Sequence, residues 1–466
     1  MTGEPGIRRC RRLGLLPALP RPAWVVLGGD FVSAIGSGLT FPCLFIYAHR
    51  VRDLSYGTAG LVVSSIALAS LIGNPVGGAL ADRWTPRRAL MAGLAVAAAG
   101  SVALALAQTA AALFGAAGLL GLGVAVIWPA QDALLASLVG PAERSAVFSV
   151  RHACMNAGLG LGALGAAAVV SVTHPGTFVA VYLADAASFL AFLPVLARLG
   201  PRPQHASEPR PVSQKRTGFR EVLRDKAFLR VWALTALIVT VSFGQSQSSF
   251  TGYATRPGGI DTHGLSLAFA ANTLTVVGAQ LFALRRLAGH RRTTGAALAA
   301  VAWAASWAVV IVGGHLGSGA AAEVAFAAAM VIFALGESLL SPTLPVIIND
   351  LAPPEAVGRY NGLGALAFTT GFLLGPAGGA AALGAGWGTG LFAAMVLACV
   401  LAGVAALRLD RHLPPGANQI PAPAPSPSRP AHAESRVPSR QRQAGQGEHP
   451  GVPDEEPHGN RRPVMV

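Results

Sequence analysis

GGALADRWTPRRALMAG, residues 77–93, lies between two long apolar runs. Asp82, Arg83, Arg87 and Arg88 crowd into a part of the chain that otherwise avoids charge. A carboxylate and three guanidinium groups placed there describe a short polar turn between two helices, each long enough to cross a membrane.

The composition agrees. Of 466 residues, 52% are hydrophobic and 12% charged, against about 25% charged in soluble domains. The 56 glycines and abundant alanine suit closely packed membrane helices. Cys10, Cys43, Cys154 and Cys399 lack metal-ligand spacing, so neither a disulfide frame nor a metal site is expected. A net charge of +14 invites a nucleic-acid partner, but the position of the charges argues for a membrane instead.

Twelve stretches reach the ~20 apolar residues that a bilayer requires: 23–47, 57–81, 89–108, 110–139, 147–172, 176–198, 229–253, 264–288, 294–314, 319–348, 360–384 and 387–409. With both termini placed in the cytoplasm, only Arg50, Arg52 and Arg256 of the 35 basic residues fall outside. The expectation is an all-α, multi-pass protein of the cell's inner (plasma) membrane, surrounded by the lipid bilayer and without nucleic acid.

The breaks between spans define the expected domains. Residues 1–22 form an arginine-rich cytoplasmic arm, because LGLLPALP is too short and proline-broken for a signal-peptide core. Residues 23–198 and 229–411 form two six-helix bundles. Residues 199–228 link them as a basic, proline-rich loop, with an amphipathic helix expected in FREVLRDKAFL on the anionic leaflet. Residues 412–466 are too rich in proline and polar residues to bury a core and are expected to be disordered. The halves also repeat: the spacing from Pro141 to Gly162 equals that from Pro354 to Gly375, and Gly158 and Gly371 coincide under the same shift. Duplicated bundles are the mark of many secondary transporters, whose substrate site lies between the repeats.

Six plus six helices, a basic central loop and GALADRWTPRR after the second helix resemble the major facilitator superfamily. Its motif there reads roughly G-x-L-a-D-R-x-G-R-R, matched by Gly78, Leu80, Asp82, Arg83, Arg87 and Arg88. Thr85–Pro86 departs from it at the second glycine. The physics of Asp82 points the same way. The C-terminus of helix 2 carries partial negative charge, which favours the arginines and disfavours a carboxylate. Asp82 therefore needs a positive partner, and helix 11 begins on the same side with its partially positive end. The resemblance implies that Asp82 caps helix 11 as a conformational latch when the cytoplasmic side is closed, with Asp132 holding the neighbouring arginines. A plain positive-inside loop is the simpler alternative.

Ionisable groups within spans are costly and default to functional candidates. Asp30 in helix 1 and Glu337 in helix 10 are the proton-coupling candidates, and the resemblance places both helices around the cavity. Asp30 is expected to lack a fixed cationic partner, only Arg151 coming near a span core. Pro342 and Pro345 interrupt helix 10. Trp128, Gln245, Gln247 and Asn272 are substrate-cavity candidates; Asp185, Gln280 and Asn156 suit interhelical ties. Gly158 and Gly162 in helix 5, and Gly371, Gly375 and Pro376 in helix 11, allow close helix packing. The superfamily's exporters carry GxxxGP in helix 5, where Ala163 stands here in place of proline. The arginine of helix 4 in drug/proton antiporters is also missing.

These residues imply a proton-coupled antiporter exporting a small amphipathic compound by alternating access. It would work as a monomer, with the proton gradient rather than a cofactor as its driving force. An importer of a small organic solute is the alternative on the same fold. A membrane-embedded enzyme is disfavoured, since HExxH, GxSxG and GxxxxGK[ST] are missing. A non-transporting sensor would need a folded extra domain.

Overall fold

The computed structural model describes residues 17–41, 43–199, 218–246, 248–255 and 258–421. Among them are twelve helices long and apolar enough to cross a membrane: α1 Arg21–Val51, α2 Gly57–Arg83, α3 Pro86–Leu106, α4 Ala110–Leu138, α5 Pro141–Val169, α6 Gly176–Arg198, α7 Lys226–Thr255, α8 His263–Leu287, α9 Arg292–His315, α10 Ala320–Leu351, α11 Val357–Gly384 and α12 Gly388–His412. Each expected stretch corresponds to one of these helices.

Local chemistry sets the helix starts. Ser55, Thr85 and Thr109 turn their hydroxyls back onto the backbone N–H of Thr58, Arg88 and Ala112, satisfying donors that a helix start leaves free. The departure at Thr85–Pro86 is thereby explained. Threonine caps α3 and proline takes its first turn, where no N–H is needed. Within α10 the helix stops at Leu340 and resumes at Leu344. The carbonyl of Pro342, freed by the interruption, accepts from Ser145 Oγ of α5 at 3.0 Å.

Two apolar cores fill the molecule. One is drawn almost wholly from α1–α6, around Leu94, Phe178, Tyr182 and Phe192. The other is drawn from the helices after residue 218, around Phe228, Trp303, Trp307 and Phe333. Glycine lets the backbones inside each meet. A Cβ on Gly162 would overlap the carbonyl of Ile35 in α1, and one on Gly158 would lie 2.6 Å from Cβ of Ala34. On α11, a Cβ on Gly371 would lie 2.6 Å from Val239 Cβ, and one on Gly375 would lie 2.9 Å from Gly244 Cα, both in α7. α11 stays helical through Pro376.

Two expectations for the connecting segments fail. FREVLRDKAFL is not one amphipathic helix. A single turn, Phe219–Val222, precedes Asp225, whose carboxylate accepts from Ala227 N (2.9 Å) and Phe228 N (3.1 Å) and starts α7 instead. The segment after α12 is not all unstructured either. Through residue 421 it folds back on the start of α9, with Asn418 and Ile420 each 3% exposed. Residues 1–16, 200–217 and 422–466, covering most of the expected arm, linker and tail, lie outside the described residues, as does Gln247.

Candidate functional site

Polar ties between the two cores gather at the end that carries the α2–α3 turn. Asp82 Oδ1 accepts from Gly358 N at 2.6 Å. Its Oδ2 accepts from Arg359 N and from Arg359 Nη1, both at 2.9 Å. The carboxylate thus caps the first turn of α11 across the boundary between cores, where free N–H groups and the helix dipole favour an anion. The approach needs glycine, since a Cβ on Gly78 would run into the Gly358 carbonyl. Deeper along the same helices, Asn74 Nδ2 donates to Thr369 Oγ1 at 2.9 Å.

A second tie lies beside it. Asp350, near the end of α10, accepts from Arg144 of α5 and from Arg292 of α9, the latter at 2.5 Å. The other arginines of the opening motif act elsewhere. Arg87 donates to the carbonyls of Leu199 and, at 2.8 Å, Ala197, closing off the end of α6. Arg83 and Arg88 are exposed.

Two further polar clusters lie within the spans. Arg151 lies about 15 Å from the start of α5 at ~1.5 Å per residue. Its Nη1 donates to Asp132 Oδ1 at 2.5 Å, and its Nε lies 3.7 Å from Asp30 Oδ2. The guanidinium also sits over the Trp128 ring at 5.3 Å. Asp30 and Arg151 are 9% and 8% exposed. Two expectations are corrected here. Asp30 does have a cationic partner, and Asp132 holds Arg151 rather than the motif arginines, because α5 crosses α1 closely at Gly158 and Gly162 and so delivers Arg151 between the two acids.

The next residue of α5 serves the other core. His152 Nε2 lies 3.5 Å from Glu337 Oε2 of α10, and Asn272 Nδ2 of α8 donates to Glu337 Oε1 at 3.4 Å. Asn156 donates to the His152 carbonyl at 3.0 Å. One helix therefore carries a basic side chain toward each neighbourhood.

The remaining candidates are ties. Gln245 is buried. Its amide donates to the carbonyls of Thr240 (3.0 Å) and Gly375 (2.9 Å) and accepts from Ser249 Oγ at 2.5 Å. Placed this way it stitches α7 to α11, and its amide is engaged by these hydrogen bonds. Gln280 joins α8 to α10 through the Ser338 carbonyl and Ser341 Oγ. Asp185 accepts from Ser101 Oγ at 2.7 Å, binding α6 to α3. His152, Asp350 and Arg292 escape a search for acids deep in spans. The improbability of an Arg–His pair within an apolar helix is the signal that would have found the first of them.

The family follows from comparison. Residues 26–313 and 255–445 match the sequence model of the Major Facilitator Superfamily. The chain belongs to this superfamily. Among its relatives is the uncharacterized MFS-type transporter YttB of Bacillus subtilis (strain 168), 26% identical over 364 residues, covering 77% of this chain and 87% of YttB. The multidrug resistance protein MdtH of Aeromonas salmonicida (strain A449) is 26% identical over 389 residues, covering 80% and 89%. Among solved structures, a bacterial homologue of the iron transporter ferroportin in an outward-facing state superposes with a TM-score of 0.69 at 14% identity, covering 84% of this chain and all of that one. That likeness concerns the fold. This major facilitator chain is a multi-pass membrane transporter, not an enzyme.

Proposed function

We propose that the chain is a proton-coupled exporter of a small amphipathic compound, acting by alternating access in a bacterial inner membrane with both termini in the cytoplasm. The two cores then correspond to pseudo-symmetric six-helix bundles, an assignment favoured by the matching packing of α5 on α1 and of α11 on α7. The side holding the α2–α3 turn is cytoplasmic, since nearly all arginines among the described residues gather there. It is shut by Asp82 on α11 and by Arg144 on Asp350, so the conformation faces outward and Asp82 is its latch. Export of an amphipathic compound is supported by similarity to MdtH, a protein named for multidrug resistance.

The observation that carries proton coupling is the pair of carboxylates, Asp30 and Asp132, sharing the single guanidinium of Arg151. With all three ionised, the trio holds an uncompensated negative charge in the membrane interior, which is costly. One proton makes it neutral. Asp30, at 3.7 Å the more loosely held acid, is the group to take it. Glu337, beside His152, is the second coupling site.

The test uses purified protein in liposomes, an imposed pH gradient and a panel of fluorescent amphipathic dyes. Wild type is expected to concentrate at least one dye in an uncoupler-sensitive manner, moving it away from the cytoplasmic face. Asp30→Asn is expected to keep dye exchange and lose uphill transport. Undiminished uphill transport by that variant refutes the assignment to Asp30 and passes the role to Glu337. Movement toward the cytoplasmic face makes the protein an importer.

A further inference from the structure

The segment that follows α12 belongs to no membrane helix, yet it is built into the closed end. Gly289 N donates to the Ile420 carbonyl at 2.9 Å, and Ile420 N donates to the His290 carbonyl at 3.0 Å. Arg292 N donates to the Asn418 carbonyl at 2.7 Å. The Asn418 amide is fully engaged: Oδ1 accepts from Thr293 N at 3.0 Å, and Nδ2 donates to Thr293 Oγ1 at 3.1 Å and to Asp410 Oδ1 at 2.6 Å. A segment this short has no core of its own. It is held by these hydrogen bonds, which fix its geometry, and by burial of Leu413, Ala417 and Ile420 at 8%, 4% and 3% exposure.

The geometry fixed is that of Arg292. Its side chain is 1% exposed and has three partners. Nη1 donates to the Ala417 carbonyl at 2.7 Å and to Asp350 Oδ2 at 2.5 Å, while Nε donates to Ser145 Oγ at 3.4 Å. Asp350 in turn holds Arg144 of α5. A continuous polar chain therefore runs from residues 417–418 through Arg292 and Asp350 to the opposite core. We propose that residues 413–420 are a strap on the inner gate, which positions Arg292 so that Asp350 can hold Arg144 and keep that end shut. Asn418 and Arg292 are its positioning residues; neither touches substrate. The proposal rests on the closed end being a gate.

The experiment places spin labels at exposed residues Arg88 and Pro354, one on each core, with the four native cysteines replaced by alanine. Wild type is expected to show short and long inter-label distances whose ratio responds to a pH gradient or a transported dye. Truncation after residue 413, or Asn418→Ala in the full chain, is expected to raise the long-distance population at least ~fivefold. Truncation after residue 421 is expected to leave it unchanged. Since the strap acts through Arg292 on Asp350 and Arg144, with Ser145 as a second contact, Asn418→Ala added to Arg144→Ala should add less than it does alone. A lowered melting temperature with an unshifted distance ratio overturns the proposal, leaving a structural clip on α9. Additive effects of the two substitutions overturn it as well. A single, invariant distance in wild type overturns the gate itself, and the strap's role with it.

Discussion

Replacing Asp82 with asparagine keeps the shape of the side chain and changes only its charge and one acceptor. In the wild type one oxygen takes the N–H of Gly358, and the other takes the N–H and a guanidinium N–H of Arg359. Asparagine has a single carbonyl oxygen, so its NH2 group must face one of these donors. The side chain is 6% exposed, and water cannot easily repair the mismatch. An unsatisfied buried donor costs about 1–3 kcal/mol, and weakening the charge–dipole attraction at the start of α11 adds about 0.3–1 kcal/mol. A total near 2–3 kcal/mol corresponds to roughly 30–150-fold in an equilibrium constant. All three hydrogen bonds cross between the cores, so the penalty falls on closure of that end and not on the fold of either core. The expected result is a wild-type melting temperature, a long-distance population raised by tens of fold between labels at Arg88 and Pro354, and slowed transport. An unchanged distance distribution refutes the latch. A fall in melting temperature without a conformational shift makes Asp82 an ordinary structural tie.

Gly78→Ala puts a methyl group onto the Gly358 carbonyl and is expected to hold the same end open and reduce transport at least ~tenfold, whereas Gly115→Ala, whose Cβ enters open space, leaves both unchanged; equal behaviour of the two variants contradicts the close approach of α2 and α11. Arg151→Gln strands two acids and is expected to destabilise the protein by about 3–5 kcal/mol, read as a lower melting temperature in detergent. Adding Asp132→Asn should restore part of the loss, and failure to do so argues against the shared guanidinium. Asp185→Asn keeps an acceptor for Ser101 and should cost about 1 kcal/mol with transport retained; abolished transport at normal stability means that Asp185 does more than join two helices.

The spans were legible because a bilayer imposes a length and a polarity that no packing detail can override, and the need of Asp82 for a positive partner followed from the dipole of its own helix. The partners of Asp30 and Asp132 were not legible. They depend on how closely α5 crosses α1, set by Gly158 and Gly162, and on which way Arg151 then points. Composition misled at the C-terminus. Pro414 and Pro415 read as disorder, but the residues around Asn418 are ordered by individual hydrogen bonds to α9, which leave no periodic pattern in the sequence. Gln245 was similarly ambiguous, since an amide in an apolar helix serves equally to bind a ligand or to close a carbonyl left open on a neighbour, and only the position of Gly375 decides.

The seating of α5 on α1 has a mechanical consequence. With Gly158 and Gly162 set against the α1 backbone, α5 has no room to slide or roll on its partner and must travel with it. Arg151 and Asp30 then form a passenger pair whose spacing is kept if one core rocks against the other. His152, carried by the same helix, faces Glu337 on the far side of the boundary, so the identical motion pulls that pair apart. Under the proposed alternating access, two neighbouring residues on one rigid rod thus behave as a fixed joint and a clutch.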